Sequence, residues 1–355
     1  MEVIANKSND MKMNKITIGL ALAVGMFTSC ENQDISFDDF EYQTVYFANQ
    51  YPVRTIELGD DMFVDNSIDN EHKFEIKATI GGLYTNKQNV EIDYVVDETL
   101  LENLYFGEGA KGQILPMPAN YYQLASEKLV IPMDATSGGV VVQLTDAFFA
   151  DPLALANNYV IPLVMKSVQG ADSILQGEAL VPDPVRVIDS NWSIKPRDFV
   201  LYAVKYVNPW HGNYLRRGAD QIADANGAAT TSVRRQQYVE NDEVVKISTN
   251  SLTAATLPLT IKDNAGKTVN FNLTLNFNED GTCAVSGSTS AYEVSGTGKF
   301  VKDGEKKSMG GYDRNALYLD YSVDFKTLNL KYTTKDTLVV RDRAVAPEYF
   351  TVVKK

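Results

Sequence analysis

From Gln43 onward the chain alternates between apolar and polar side chains with a period of two, and almost no stretch sustains a helical period. Phe74, Ile76, Ala78 and Ile80 fall on one face of a strand, with Glu75, Lys77 and Thr79 on the other. Val90, Ile92, Tyr94 and Val96 repeat the pattern with Glu91 and Asp93 outward, and residues 81–89 between the two runs are rich in turn formers. Further strands are expected over 129–133, 140–145 and 159–167, with short helical turns at 98–103 and 147–157 on the connections. Short strands at regular spacing favour an antiparallel sandwich over a parallel sheet.

The second half is also β-rich. Residues 199–207 read as an apolar strand. Phe271, Leu273, Leu275 and Phe277 alternate with Asn272, Thr274, Asn276 and Asn278, and Glu279-Asp280-Gly281 turns the chain into 282–285, a hairpin by its turn chemistry. Leu317, Leu319, Tyr321, Val323 and Phe325 form another inward stripe, paired with 328–332, and a last strand covers 337–341. Successive hairpins of this kind fold as an up-and-down barrel or a curled sandwich. Between the halves Pro182 and Pro184 stiffen the backbone and remove two ladder donors, which suits a linker. The expected organisation is an all-β chain with a sandwich over 43–182, a linker over 183–195 and a barrel over 196–355.

Ahead of these domains Lys12 and Lys15 precede an apolar run over 16–27, followed by Thr28-Ser29-Cys30. This reads as a secretory signal peptide over 1–29. Its apolar core is shorter than the roughly 20 residues a membrane-spanning helix needs. Cysteine at the cut allows lipidation of Cys30, so the expected protein is anchored to a membrane surface and does not pass through it. Residues 1–10 lack signal character, which places the start of translation at Met11 or Met13. Glu31, Asp34, Asp38 and Asp39 make an acidic tether over 30–42.

The formal net charge is −13, and removing the leader takes away more lysines than acids. Such a surface repels nucleic acid and anionic lipid headgroups, so neither is an expected partner. Two cysteines are present. With Cys30 lipidated Cys283 stands alone, so no disulfide framework forms, and Cys283 reads as a small buried hydrophobe in a strand.

Several stretches resemble a known family. In the first half they are Val45-Tyr46-Phe47, Gly81-Gly82 with Asn86 and 90–97, Leu115-Pro116-Met117-Pro118 with Asn120-Tyr121-Tyr122, 140–145, and Tyr159-Val160-Ile161-Pro162-Leu163. These are similar to the N-terminal immunoglobulin-like domain of Bacteroidota surface lipoproteins encoded in polysaccharide-utilisation loci, and the acidic tether resembles the surface-export tether of such proteins. In the second half Gly212-Asn213-Tyr214-Leu215-Arg216 and Leu338-Val339-Val340-Arg341-Asp342-Arg343 resemble the calycin-like (lipocalin-like) domain often attached to it. The resemblance covers nearly all of the chain after the leader. It implies glycan capture beside an outer-membrane transporter, and it carries over no catalytic residue.

Residue patterns with possible chemistry are few. Residues 107–112 fit G-x-G-x-x-G literally, but Pro116 and Pro118 forbid the helix that a dinucleotide site needs, which leaves a surface loop. Asp65, Ser67, Asp69 and Glu71 alternate as in a calcium loop, yet Asn70 and Ile76 stand where an EF-hand needs glycine and glutamate, so a solvated acidic turn is expected. The histidines are His72 and His211, with no zinc or triad spacing around either. Regular long helices do not alternate with the strands, which excludes a (β/α)₈ glycosidase barrel.

Aromatics are the remaining lead, because sugar C–H faces stack on rings that lose little entropy when fixed. Trp210 follows a proline and precedes His211-Gly212, a turn at a strand end, where binding residues concentrate. Tyr214 and Arg216 lie close by in sequence, and Trp192 is the other tryptophan. Trp210, Tyr214, Arg216 and Trp192 are therefore the candidate ligand-binding set, Tyr121-Tyr122 being a second candidate. The alternative is that these aromatics close one end of the second barrel. The expected protein is a non-catalytic, surface-anchored lipoprotein of the outer membrane that holds oligosaccharide near a transporter, without cofactor or metal. A protein-binding adhesive role, a small hydrolase, or carriage of an apolar ligand in the barrel stands as the alternative.

Overall fold

The computed structural model describes residues 40–107, 112–224, 227, 229–263 and 265–355. The leader over 1–29, Cys30 and the tether as far as Asp39 lie outside the described residues, as do residues 108–111 of the glycine-rich loop. Strands account for 56% of the chain and helices for 7%, arranged as an eight-stranded closed barrel and a separate sheet domain, so the all-β expectation holds.

In the sheet domain hydrogen bonding runs through Ser173–Ile174, Thr44–Tyr46, Lys73–Gly81, Ser137–Leu144, Lys128–Ile131, Val90–Val96, Tyr159–Gln169, Phe199–Val207, Pro52–Glu57 and Glu348–Tyr349. The stripe Phe74, Ile76, Ala78 and Ile80 is buried, as are Val90 and Ile92. Gly139 lets the 73–81 and 137–144 strands close on each other, since a Cβ there would sit 1.9 Å from the Ile76 carbonyl oxygen. Phe74 stacks on Tyr202 with ring centroids 5.4 Å apart, although their strands are distant along the hydrogen-bonded order. The sheet therefore folds over a core that also takes in Ile56, Tyr159 and Tyr206, while a second cluster that includes Leu104, Val160, Phe199 and Leu201 covers the opposite face of its later strands.

The division of the chain differs from the expected one. Phe199–Val207 does not open the barrel; it pairs antiparallel with Tyr159–Gln169 and parallel with Pro52–Glu57 in the first sheet. Each of its residues is buried or half-buried, the mark of a strand covered on both faces, whereas barrel strands alternate. Nor is 183–195 a free spacer. Trp192–Ile194 pairs with Glu178–Ala179, and Arg186 makes a forked ion pair with Asp198. The chain crosses to the barrel through residues 208–211 and returns after Asp342. There Glu348–Tyr349 joins Pro52–Glu57, and Val352–Lys354 pairs with Leu104–Phe106. The barrel spans about 212–342, shorter than the 196–355 read from hydropathy.

Gly212–Ala223, Glu243–Thr249, Ala254–Lys262, Thr268–Phe277, Thr282–Ser288, Glu293–Met309, Tyr312–Phe325 and Leu330–Asp342 pair in sequence, and the last closes on the first. Ala229–Arg234 adds a ninth strand along Gly212–Ala223. The stripes at 271–277 and 317–325 face inward as the alternation demands, and Leu257, Leu273, Leu275, Leu317 and Leu319 fill the middle of the barrel. Cys283 is buried on the Thr282–Ser288 strand, where burial pushes its thiol up to about 11.

Candidate functional site

The structure disperses the residues singled out from sequence. Trp210 lies flat on Phe277, ring centroids 3.8 Å apart and planes 6° from parallel, and closes one end of the barrel core. Tyr214 is 1% exposed and its hydroxyl donates to the Trp210 carbonyl at 2.8 Å. Both therefore serve the packing: Tyr214 is out of reach of a ligand, and Trp210 is half-buried with one face taken by Phe277. Arg216 points into the barrel, where its Nε donates to Asp336 at 2.9 Å and its Nη2 to the Tyr321 hydroxyl at 3.2 Å. Trp192 belongs to the sheet domain and its indole donates to the Val185 carbonyl at 3.0 Å. Tyr121 packs against the sheet core and its hydroxyl donates to Asp151. In the acidic loop, Asp69 is buried against Arg54 and accepts the Glu57 N–H, so it braces the loop.

A cleft of about 310 Å³ opens elsewhere, between the sheet domain and the barrel. Its first wall is the loop after Pro52–Glu57. Asn66 Nδ2 donates to the Glu57 and Gly59 carbonyls at 2.7 and 2.6 Å, which draws the loop into a tight arch. Gly59, at φ +87°, lies so close to Pro209 that a Cβ would come within 2.6 Å of the ring. Asp61 accepts the Phe63 N–H at 2.6 Å. The arch leaves Met62 and Phe63 outward, Phe63 66% exposed as a residue.

The second wall comes from three barrel strands, which supply Lys302 and Asp303, Asp313 to Asn315, and Val340 to Arg343. Arg314 is only 5% exposed, yet its guanidinium carbon lies 5.5 Å from the Phe63 ring centroid and its Nη1 contacts the Met62 sulfur. Its Nε is buried with no partner. Lys302 pairs with Asp60 across the cleft at 2.6 Å. Asp313 accepts the Lys307 N–H at 2.9 Å, which together with Lys306 holds its carboxyl below the usual carboxylate range.

Arg343 locks the two walls together. It donates to the carbonyls of His211 at 2.9 Å, Asp60 at 3.1 Å, Leu58 at 2.8 Å and Asn208 at 2.9 Å, and so ties the crossing segment to the arch. Beside it Glu57 is 7% exposed and its Oε1 has no hydrogen-bond partner. Burial pushes this carboxyl up to about 7, more than the Arg343 charge, 3.5 Å away, pulls it down. Burial also pulls His211 down to about 4, with Lys246 and Arg343 adding to the effect. The junction thus carries an acid and an imidazole that are both biased toward their neutral forms.

Chemically, the cleft offers one open aromatic face, a planar guanidinium with a spare donor, several carboxylates and the Asn315 amide. That mixture suits hydroxyl groups arrayed around a ring with an apolar face. Sequence reasoning passed over Phe63 and Arg314. The available signal was Met62-Phe63-Val64, three apolar residues in an otherwise acidic loop, each of them exposed.

Residues 40–172 match a family model for an N-terminal domain, and residues 209–344 match a domain of unknown function, DUF5627. A crystal structure of a protein of unknown function from Bacteroides ovatus is 55% identical, with a TM-score of 0.83 over 89% of this chain and 100% of that one. A multidomain Bacteroides ovatus protein that includes DUF1735 is 13% identical, with a TM-score of 0.39 over 86% of this chain and 97% of that one. An auxiliary nutrient binding protein from Bacteroides thetaiotaomicron is 14% identical, with a TM-score of 0.36 over 81% of this chain and 90% of that one. Likenesses as loose as the last two bear on neither site nor ligand. The comparison with curated proteins found no match.

Proposed function

We infer that this chain, which belongs to the family of that Bacteroides ovatus protein of unknown function, is a non-catalytic, lipid-anchored glycan-binding protein of the outer-membrane surface. The observation that carries the reading is Phe63, held open to solvent over the nearly buried Arg314 in a cleft otherwise lined largely by carboxylates, amides and basic side chains. An exposed ring with its back packed on a guanidinium is pre-organised, so a sugar stacking on it orders little that was mobile. The cleft acids Asp60 and Asp313 are engaged by Lys302 and Lys306, as hydrogen-bond acceptors are. Asp313 is held below the usual carboxylate range, the opposite of what a proton donor needs. The leader and Cys30 support display at a membrane surface, where a bound oligosaccharide would be passed to a transporter.

The alternative of an apolar-ligand carrier fares worse, since leucines and aromatic rings occupy the middle of the barrel. Titration of the protein against a library of neutral and acidic oligosaccharides, with Phe63→Ala in parallel, tests the reading. Loss of the stacking face is expected to weaken binding at least about tenfold, some 1.4 kcal/mol. Absence of binding to every glycan, or equal binding by the variant, would sink it.

A further inference from the structure

We propose that the barrel wall holds a second binding site, distinct from the cleft, for a small uncharged hydroxylated molecule about the size of one sugar ring. The site is a pocket of about 360 Å³ at the end of the barrel away from Trp210. It lies where Ala229–Arg234 and Ala254–Lys262 face each other; these strands do not pair, so the wall is open between them among the described residues. Ser232 and Thr260 stand exposed on the two lips. One side of the pocket is apolar and aromatic, formed by Ile222, Phe271, Val323 and Tyr332.

The other side is a network of charged and hydroxyl groups. Arg234 donates from Nε to Asp220 at 2.9 Å and from Nη2 to Asp220 and Asp336, both at 2.8 Å. Asp336 also accepts from Arg216 at 2.9 Å and from the Tyr321 hydroxyl at 3.0 Å, while Thr334 donates to Asp220 at 2.8 Å. Arg216, Asp336, Tyr321 and Thr334 are each 5% exposed or less. An interior built for stability alone would hold apolar side chains here, because desolvating ion pairs costs more than it returns. The polar groups therefore point to a ligand, and their arrangement restricts which one.

Within the network Arg216 and Arg234 answer Asp220 and Asp336, with Glu243 adding a longer contact to Arg216 at 3.3 Å. The remaining charge on the lining, Lys262, is exposed at the rim, where its ammonium donates to the Thr268 hydroxyl at 2.6 Å. An ion drawn past the rim to the network would lose hydration without an unpaired opposite charge to meet it. A long apolar chain would face the same network and strand its donors and acceptors. What remains open is Arg234 Nη1, a buried donor with no partner, together with the spare lone pairs of the carboxylates and hydroxyls. A neutral polyol uses both sides: its hydroxyls answer these groups and its C–H face lies on Phe271 and Tyr332. The volume is near the lower end of ligand pockets, about 300–1,000 Å³, which limits the guest to a small one.

The test is titration of the protein, by calorimetry or by amide chemical shifts, with D-glucose, D-galactose, N-acetyl-D-glucosamine and myo-inositol, alongside D-glucuronate and decanoate. Ser232→Trp, at an exposed lip position, plugs the entrance; because Ser232 lies opposite Asp220 across the strand pair, Thr260→Trp on the other lip, paired with Asn270 outside the network, is made alongside it, and circular dichroism verifies that both fold. At least one neutral probe is expected to bind, about tenfold or more weaker in both lip variants and unchanged in Phe63→Ala. That last arm separates this site from the cleft. No binding by any neutral probe overturns the proposal. So does tighter binding of glucuronate or decanoate, or binding that survives either lip substitution, or binding lost in Phe63→Ala.

Discussion

Glu57→Gln should stabilise the protein in a pH-dependent way whose sign follows from the junction around Arg343. The Glu57 carboxyl is pushed up to about 7 from an ordinary 4.5, so between those values the folded chain keeps a proton that the unfolded chain has lost. The stability that protonation provides is complete below pH 4.5 and is lost as pH rises to 7, at about 1.4 kcal/mol per pH unit. The amide introduced by Glu57→Gln has no charge to bury. The variant should therefore match the parent below pH 4.5, apart from a constant offset, and exceed it by roughly 3 kcal/mol at pH 7.5. His211 acts in the opposite sense. Its imidazole is pulled down to about 4 from 6.5, so the stability of the neutral form is complete above 6.5 and is lost as pH falls to 4. The two slopes oppose each other between 4.5 and 6.5, which leaves the parent chain nearly insensitive there as far as these groups go. Urea unfolding of parent and variant at half-unit steps from pH 4 to 8 gives the difference directly, and groups common to both cancel. A difference that is flat with pH, or that falls as pH rises, would refute the assignment of Glu57 as a buried acid.

Other outcomes follow from the same geometry. Arg343→Ala removes the guanidinium donor from the carbonyls of Leu58, Asp60 and His211, and from that of Asn208, which keeps only the His211 N–H at 3.1 Å. It should cost about 4 kcal/mol in urea unfolding, more at pH 8 than at pH 5 because Glu57 loses its nearest cation. Trp210→Ala removes the ring stacked on Phe277 and should lower stability by about 2 kcal/mol, while glycan titration stays unchanged. Cys283 is buried with its thiol pushed up to about 11, so a colorimetric thiol reagent should label it only in denaturant.

The parts of the fold that were legible in the sequence are those where one face meets the core and the other meets water. The stripes at 74–80, 271–277 and 317–325 sit where period-two alternation put them, because each lies on a strand with a single buried face. Phe199–Val207 defeated that rule. A strand covered on both faces carries no alternation to say which sheet it joins, and its position between Tyr159–Gln169 and Pro52–Glu57 is a long-range pairing. The return of the last residues to the first sheet is invisible for the same reason. The candidate site was less legible still. Trp210 and Tyr214 drew attention as aromatics near a turn, but aromatic content cannot tell a stacking platform from the plug of a barrel end. Arg216 drew attention as a forked donor near Trp210, but the partners that hold its fork, Asp336 and Tyr321, lie more than a hundred residues away along the chain.

The double crossing between the halves bears on how such a cleft can bind. A barrel joined by one linker would be free to swing, and a site between the two bodies would have to be assembled at each encounter, at a cost in ordering. Here the chain leaves the sheet at Val207 and rejoins it at Glu348–Tyr349 beside Pro52–Glu57, so two covalent paths meet at one edge of the sheet. Arg343 stands on the returning path and binds the carbonyls of the outgoing path and of the Phe63 arch at once. Closing the loop in this way fixes the arch against Arg314 before any ligand arrives. On this argument the conservative Arg343→Lys variant, which retains charge but not the planar fork, separates stability from binding. It should lose less stability than Arg343→Ala, yet still lose affinity for glycan, because one ammonium cannot reach carbonyls on both paths. Full affinity in Arg343→Lys would mean that the cleft does not depend on this lock.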